Sequence, residues 1–150
     1  MDISYDLGEA GWATATVRSA EGGEVDMTAS YLSDSLRDLA EATLRLCAGA
    51  PEATVVFMDE PGEHHLVLRR NDGDRLTYEV RWFDDWASWG SHPPDRYFVA
   101  LKGQTTVRRL RRQVVNVLGD LDETFGPEGY RERWINAEFP SETYAALQAV

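Results

Sequence analysis

At 150 residues the chain has the length of one domain, and a domain of this size buries roughly 70% of its unfolded surface, enough for a self-sufficient core. Its 43% hydrophobic and 27% charged residues exclude disorder, collagen and coiled coil. Basic residues number 15 against 26 acidic ones, and the net charge of -11 repels a phosphate backbone, which excludes free nucleic acid as a partner. The surplus is uneven: residues 1–63 hold 13 carboxylates against Arg18, Arg37 and Arg45, a net of -10, so one acidic face including Asp26, Asp34, Asp38 and Glu41 is expected. Cys47 is the only cysteine, so no intramolecular disulfide forms. The start, Met1-Asp2-Ile3-Ser4-Tyr5-Asp6, lacks the basic and apolar regions of a secretory leader. The strongly apolar stretch at Val55–Met58 falls far short of the ~20 residues of a membrane helix. A cytoplasmic location without membrane contact is therefore expected. One lysine against 14 arginines fits a GC-rich bacterial genome.

In chain order, Asp2–Leu7 reads as a short edge strand and Trp12–Ser19 as a second strand, joined through Gly22-Gly23 to a third in which Val25, Met27, Ala29 and Tyr31 alternate with polar residues. Ser33 is the expected N-cap of a helix whose stripe is Leu36, Leu39, Ala40, Thr43, Leu46 and Cys47, ended by Gly49-Ala50-Pro51. Cys47 is accordingly expected to be buried and inert. Residues 53–83 read as three antiparallel strands. A three-residue loop at Asn71-Asp72-Gly73 pairs Arg70 with Asp74, Leu68 with Leu76 and Leu66 with Tyr78, whereas a two-residue loop would set Leu66 and Leu68 against Glu79 and Thr77. The Glu60-Pro61-Gly62-Glu63 turn places Asp59 opposite His64, Phe57 opposite Leu66 and Val55 opposite Leu68. A strand at Arg96–Lys102 follows an irregular stretch from Asp84 to Asp95. Thr105 or Thr106 caps a long helix with Val107, Leu110, Val114, Val117, Leu118, Leu121 and Phe125 on one face, ended by Gly126-Pro127, and Pro140-Ser141 opens a last short helix. The expected fold is a single α+β domain over residues 1–150: an antiparallel sheet of six or seven strands, in the order β-β-β-α-β-β-β-β-α-α, packed on two main helices.

The run Ser30-Tyr31-Leu32-Ser33-Asp34-Ser35-Leu36, then Glu60-Pro61-Gly62-Glu63, then Gly129-Tyr130 with Trp134 and Phe139-Pro140, resembles a widespread family of small bacterial α+β proteins without an assigned activity. The likeness spans about residues 5–147. It departs from the family pattern after the Pro-Gly turn, where His64-His65-Leu66 stands in place of a Tyr/Trp-rich stretch with an arginine. The resemblance implies no reaction, ligand or catalytic residue.

Four groups of residues bear on function. Asp59, Glu60, Glu63, His64 and His65 are the densest set of metal-ligand types, but adjacent strand residues diverge to opposite faces, so a solvated or ion-paired hairpin end, with Asp59 against His64, is expected rather than a metal site. Arg108-Arg109-Leu110-Arg111-Arg112 is a basic run whose helical phase turns Leu110 inward and spreads the arginines toward carboxylates or water. No Gly-x-Ser-x-Gly elbow, Walker loop, dinucleotide fingerprint or His-Glu-x-x-His motif occurs, and no cofactor or catalytic residue is expected. The fourth group lies at residues 82–94, where Trp82, Trp86 and Trp89 crowd a strand end and loop. Such indoles either cap the core or display a recognition surface, and Asp84, Asp85, Trp86, Trp89 and His92 are the candidate binding residues. The leading expectation is a non-enzymatic protein-binding module, an immunity- or inhibitor-type partner of a basic protein. The alternative is a small-molecule or carbohydrate-binding domain, or an enzyme without a recognisable motif, working from a pocket between the sheet and the tryptophan loop.

Overall fold

The computed structural model describes residues 1–135 and 137–150. In chain order it contains β1 (Asp2–Leu7), β2 (Trp12–Arg18), β3 (Glu24–Ser30), α1 (Ser35–Cys47), β4 (Glu52–Met58), β5 (Glu63–Arg70), β6 (Arg75–Phe83), β7 (Phe98–Thr106), α2 (Val107–Thr124), α3 (Gly126–Trp134) and α4 (Ser141–Ala149). The strands make two antiparallel sheets, ordered β1-β2-β3 and β4-β5-β6-β7. The fold is α+β, as the alternation of hairpins and helical stripes implies, with a division into two sheets and a helix, α3, that the sequence reading lacks.

Period-two alternation explains the first sheet. Met1, Ile3, Tyr5 and Leu7, Ala13, Ala15 and Val17, and Met27 and Ala29 turn inward and are buried with the α1 stripe and with Leu110, Val114, Val117, Leu118 and Leu121 of α2. The second sheet adds Val55, Phe57, Leu66, Leu68, Leu76, Tyr78 and Val80 to the same core. That set is the apolar face read from the sequence, although both connecting loops sit one residue away from the expected place. The first loop is Asp59-Glu60-Pro61-Gly62, closed by Asp59 N donating to Gly62 O (2.9 Å), so Phe57 faces His64 and Val55 faces Leu66. The second is Asp72-Gly73-Asp74, with Asn71 N donating to Arg75 O (3.0 Å), so Leu68 faces Tyr78 and Leu66 faces Val80. Gly73 has φ +58°, the left-handed conformation the loop requires. Moving a loop by one residue shifts each pairing by two and leaves both faces intact.

The helix termini differ in detail. Asp34, not Ser33, occupies the N-cap position of α1 and makes no side-chain cap; its carboxylate accepts from Arg37 Nε instead (3.1 Å). Cys47 ends α1 half-buried rather than fully buried, and burial pushes its thiol pKa up, with Arg111 and Arg70 opposing the rise. At α2 the expectation holds: Thr106 accepts from Arg109 N (3.1 Å) while closing β7. Thr106→Ala is expected to cost about 1 kcal/mol, measurable as a lower urea midpoint. The Gly126-Pro127 pair that ends α2 also starts α3, because Gly126 at φ +68° redirects the chain and Pro127 suits the first turn of a helix. Tyr130 and Trp134 of α3, with Phe139, then close the core.

The acidic surplus is divided rather than gathered on one face. Asp34, Asp38 and Glu41 line α1, where burial is the main cause raising the pKa of both aspartates. Asp26 points out from β3, where it accepts from Thr16 Oγ1 (2.7 Å), on the side of the sheet away from the core that α1 covers. No helix among the described residues is long and apolar enough to cross a membrane.

Candidate functional site: the tryptophan loop

The segment between β6 and β7 folds as a chain of local turns. Asp85 Oδ1 accepts from Trp86 N (2.8 Å), Ala87–Trp89 forms one 3-10 turn, and Gly90 stops it at φ +78°, donating to Ala87 O (3.2 Å). Ser91 N donates to Trp86 O (2.9 Å), and Arg96 N donates to Pro93 O (3.2 Å).

Three contacts bind this loop to the sheet. Glu63, the first residue of β5, is 0% exposed; its Oε1 accepts from Ser88 N (3.0 Å), and its Oε2 accepts from Ser88 Oγ (2.6 Å) and pairs with His65 Nε2. The indole Nε1 of Trp86 donates to Asp59 O (2.8 Å). Beneath them Met58, Glu63 and Phe83 sit in register across three strands, on the sheet face turned away from the main core, and all three are buried. Phe83 packs against His65, Tyr97 and His92, with ring centroids at 4.3, 5.5 and 6.2 Å. The guanidinium of Arg81 lies 4.4 Å over the Tyr97 ring. The loop therefore covers a second, smaller apolar cluster on the outer face of the sheet.

This geometry sorts the five expected binding residues. Asp84 is exposed and accepts from Trp82 Nε1 (2.9 Å), Asp85 holds the turn, Trp86 is half-buried under its bond to Asp59, and His92 is tied to Arg96 O (2.8 Å). Trp89, 54% exposed and 5.1 Å from the Trp86 ring, is the indole displayed to solvent. Next to the loop stand three residues the sequence reading did not single out: Tyr97 (39% exposed), Phe98 (67%) and Val99 (38%). Their signal in the sequence is a short uncharged aromatic run directly after Asp95-Arg96. Trp86→Ala is expected to destabilise the fold by about 2 kcal/mol and Trp89→Ala by under about 0.5 kcal/mol, since only the first leaves a buried acceptor and a gap behind. Urea midpoints of the two variants check the difference.

Ser88, Glu63 and His65 are residue types that serve hydrolases, yet their arrangement is a fastening. The hydroxyl and the imidazole both address the same carboxylate oxygen, and the serine makes no bond to the histidine that would have to take its proton. Asp59 does not pair with His64, which stands between Phe57 and Trp82 in the register and packs on the Trp82 ring (4.6 Å). Burial holds the His64 pKa down at about 4, a drop that the nearby Asp59 charge opposes and His65 adds to. Among the described residues, no group of three or more His, Cys, Asp or Glu side chains is placed to hold a metal ion. The basic run of α2 is partly consumed within the fold: Arg109 Nη2 donates to Asp2 (2.5 Å), and Arg111 Nε donates to Leu147 O (2.7 Å) at the end of α4.

Two open grooves of about 700 Å³ lie away from the loop. One, on the outer face of the second sheet, is lined by Arg69, Thr77, Glu79, Lys102 and Gln104 among others; the second, about 680 Å³, runs between β1 and α2. Neither includes a residue of the tryptophan loop. The chain matches no protein-family model, no curated protein and no solved structure.

Proposed function

We propose that this protein is a non-enzymatic binding module for a basic protein, of the immunity or inhibitor type, and that Trp89, Tyr97, Phe98 and Val99 anchor the partner. The observation that supports this reading is the exposure of Trp89 on a loop pinned by a buried carboxylate, with Tyr97, Phe98 and Val99 also exposed where the chain leaves that loop and enters β7. An aromatic anchor on a rigid support loses little entropy on binding, which is why such residues dominate interface energetics. Asp84 and Asp95 are exposed beside the anchors, and the net charge of -11 steers a basic partner toward the chain. A ligand-binding reading would need a cleft at the loop, and the two grooves described above lie elsewhere.

The test is calorimetric titration of the purified chain with the purified, net-basic product of a neighbouring gene. Expected are a complex weakened by added salt and a loss of about 2 kcal/mol on Trp89→Ala, with thermal stability of the variant unchanged. A complex indifferent to Trp89 and Phe98 would move the interface elsewhere, and no complex with any basic neighbour would remove the reading.

A further inference from the structure

We propose that the cavity beside Trp12, on the outer face of the first sheet, binds a guanidinium group, an inference that does not depend on the reading of the tryptophan loop. That face carries alternate residues of β1, β2 and β3, and their register sorts them into rows. In two rows the charged groups are satisfied within the fold. Arg18 pairs with Glu24 (3.2 Å) beside Asp2, which Arg109 holds, and Thr16 Oγ1 donates to Asp26 (2.7 Å) beside Ser4. The row of Asp6, Thr14 and Thr28 differs: among the described residues, none of these three side chains has a hydrogen-bond or ion-pair partner.

These three groups and Trp12 line a cavity of about 260 Å³, completed by Leu7, Gly8 and Ala13. Trp12 is exposed, and its neighbours across the strands are Gly8, whose N donates to Trp12 O (2.8 Å), and Ser30. Neither has a side chain large enough to cover an indole. A side chain at residue 8 is shut out, because its Cβ would lie 2.9 Å from Trp12 O. The turn that carries Trp12 is fixed: Gly11 N donates to Arg133 O (2.7 Å), Arg133 Nη1 donates to Gly8 O (3.4 Å), and the Tyr31 ring lies against Gly11. A site held by its scaffold loses little free energy in ordering itself around a ligand.

Charge and shape select the occupant. Among the described residues, no Lys, Arg or His lines the cavity, so Asp6 repels anions there and attracts a cation. Arg133, the cation that holds the adjoining turn, is itself paired with Glu9 (3.7 Å) and lies 4.6 Å over the Phe125 ring. A cation beside an indole gains from the negative face of the ring, and tryptophan is the strongest of the aromatic residues in this respect. Among organic cations a guanidinium fits better than an ammonium: it is planar, weakly hydrated, and offers a fork of donors that a carboxylate accepts in pairs. Its remaining N–H groups find acceptors in the Thr14 and Thr28 hydroxyls, which stand in the same row. The volume lies below the roughly 300–1,000 Å³ of pockets for drug-sized ligands and suits one such group rather than a nucleotide.

The experiment titrates the isotopically labelled chain with ethylguanidinium, with ethylammonium, and with a capped glycine-arginine-glycine peptide, following the Trp12 indole N–H and the amides of residues 6–8, 14 and 28. Expected are saturable shifts confined to those resonances with ethylguanidinium, an affinity lower by about fivefold or more for ethylammonium, and losses of about tenfold or more in Asp6→Asn and Trp12→Ala. Asp6→Asn alters an exposed side chain and should keep the natural melting temperature, so its loss stands even where Trp12→Ala folds poorly. Asp26→Asn, in the neighbouring row of the same face, should bind within about twofold of the natural chain. Two results uphold the site and assign its source: a peptide that matches ethylguanidinium makes the ligand an arginine borne by another chain, and binding of ethylguanidinium alone makes it a free guanidine compound. Equal affinity for the two small cations, or equal losses in Asp6→Asn and Asp26→Asn, would reduce the effect to diffuse attraction by an acidic face and overturn the site, as would the absence of any shift at Trp12. None of these outcomes bears on Trp89, so the reading of the tryptophan loop stands or falls separately.

Discussion

Replacing His64 by phenylalanine is expected to flatten the acid side of the stability profile. The imidazole lies between Phe57 and Trp82, and its Nδ1 is buried with no hydrogen-bond partner among the described residues. Burial disfavours the charged ring and holds its pKa at about 4 against an ordinary value of 6.5. The sign follows from which state takes the proton. Above pH 6.5 His64 is neutral folded or unfolded and contributes no pH dependence. Between 6.5 and 4 only the unfolded chain protonates there, so stability is lost as the pH falls, and the loss is complete below about 4. The gap between the two values corresponds to about 3 kcal/mol. Urea titrations at pH 7 and pH 4 should show the natural chain losing about that much more than His64→Phe. At pH 7 the variant should be equal or up to about 1 kcal/mol more stable, since it buries no orphaned nitrogen. Parallel pH profiles for the two proteins would show that His64 is solvated in the folded state.

The parts of the fold legible in the sequence are those carried by periodicity. The outward Asp26 and Thr28 against the inward Met27 and Ala29 specify a half-buried strand, and Leu110, Val114, Val117, Leu118 and Leu121 specify one face of α2; both read correctly because burial acts on each residue nearly independently. Registers were harder, since a shift of two keeps every face and only turn geometry distinguishes the alternatives. The helix α3 was hidden behind Gly126-Pro127, a pair that stops one helix and starts another with equal chemical justification. At the candidate site, the crowding of tryptophans marked the loop but not which of its indoles is exposed. Whether an indole is displayed or packed depends on groups far away in sequence: Trp86 is held by Asp59, and its neighbour Ser88 by Glu63. Glu63 itself read as part of a solvated hairpin end. A buried carboxylate looks like a surface one until its partners are known, and Ser88 lies 25 residues downstream.

Glu63→Ala is the substitution expected to do most damage to the site. The carboxylate satisfies the backbone and hydroxyl of Ser88 and the ring of His65 together, and its removal orphans these donors and leaves a gap beside Phe83 and Met58. An unsatisfied buried donor costs about 1–3 kcal/mol, and because Ser88 itself borders solvent the expected loss of stability is about 2–4 kcal/mol. Glu63→Gln keeps an acceptor and most of the volume and should lose about half as much, while Ser88→Ala removes one bond and should cost about 1 kcal/mol. In the double variant the two effects should fall short of additive, since the serine hydroxyl has nothing left to lose once the carboxylate is gone. The loop should also come free of the sheet in Glu63→Ala, with faster proteolytic cleavage between Asp84 and Pro94 under conditions where the core is intact. Partner affinity then distinguishes support from contact: Trp89→Ala should weaken binding at constant stability, whereas Glu63→Ala should weaken it by letting Trp89 wander, an effect that a disulfide or proline rigidifying the loop would reverse. A Glu63→Ala chain with natural stability and an uncleaved loop would mean that the satellite cluster around Phe83 holds the loop without the carboxylate.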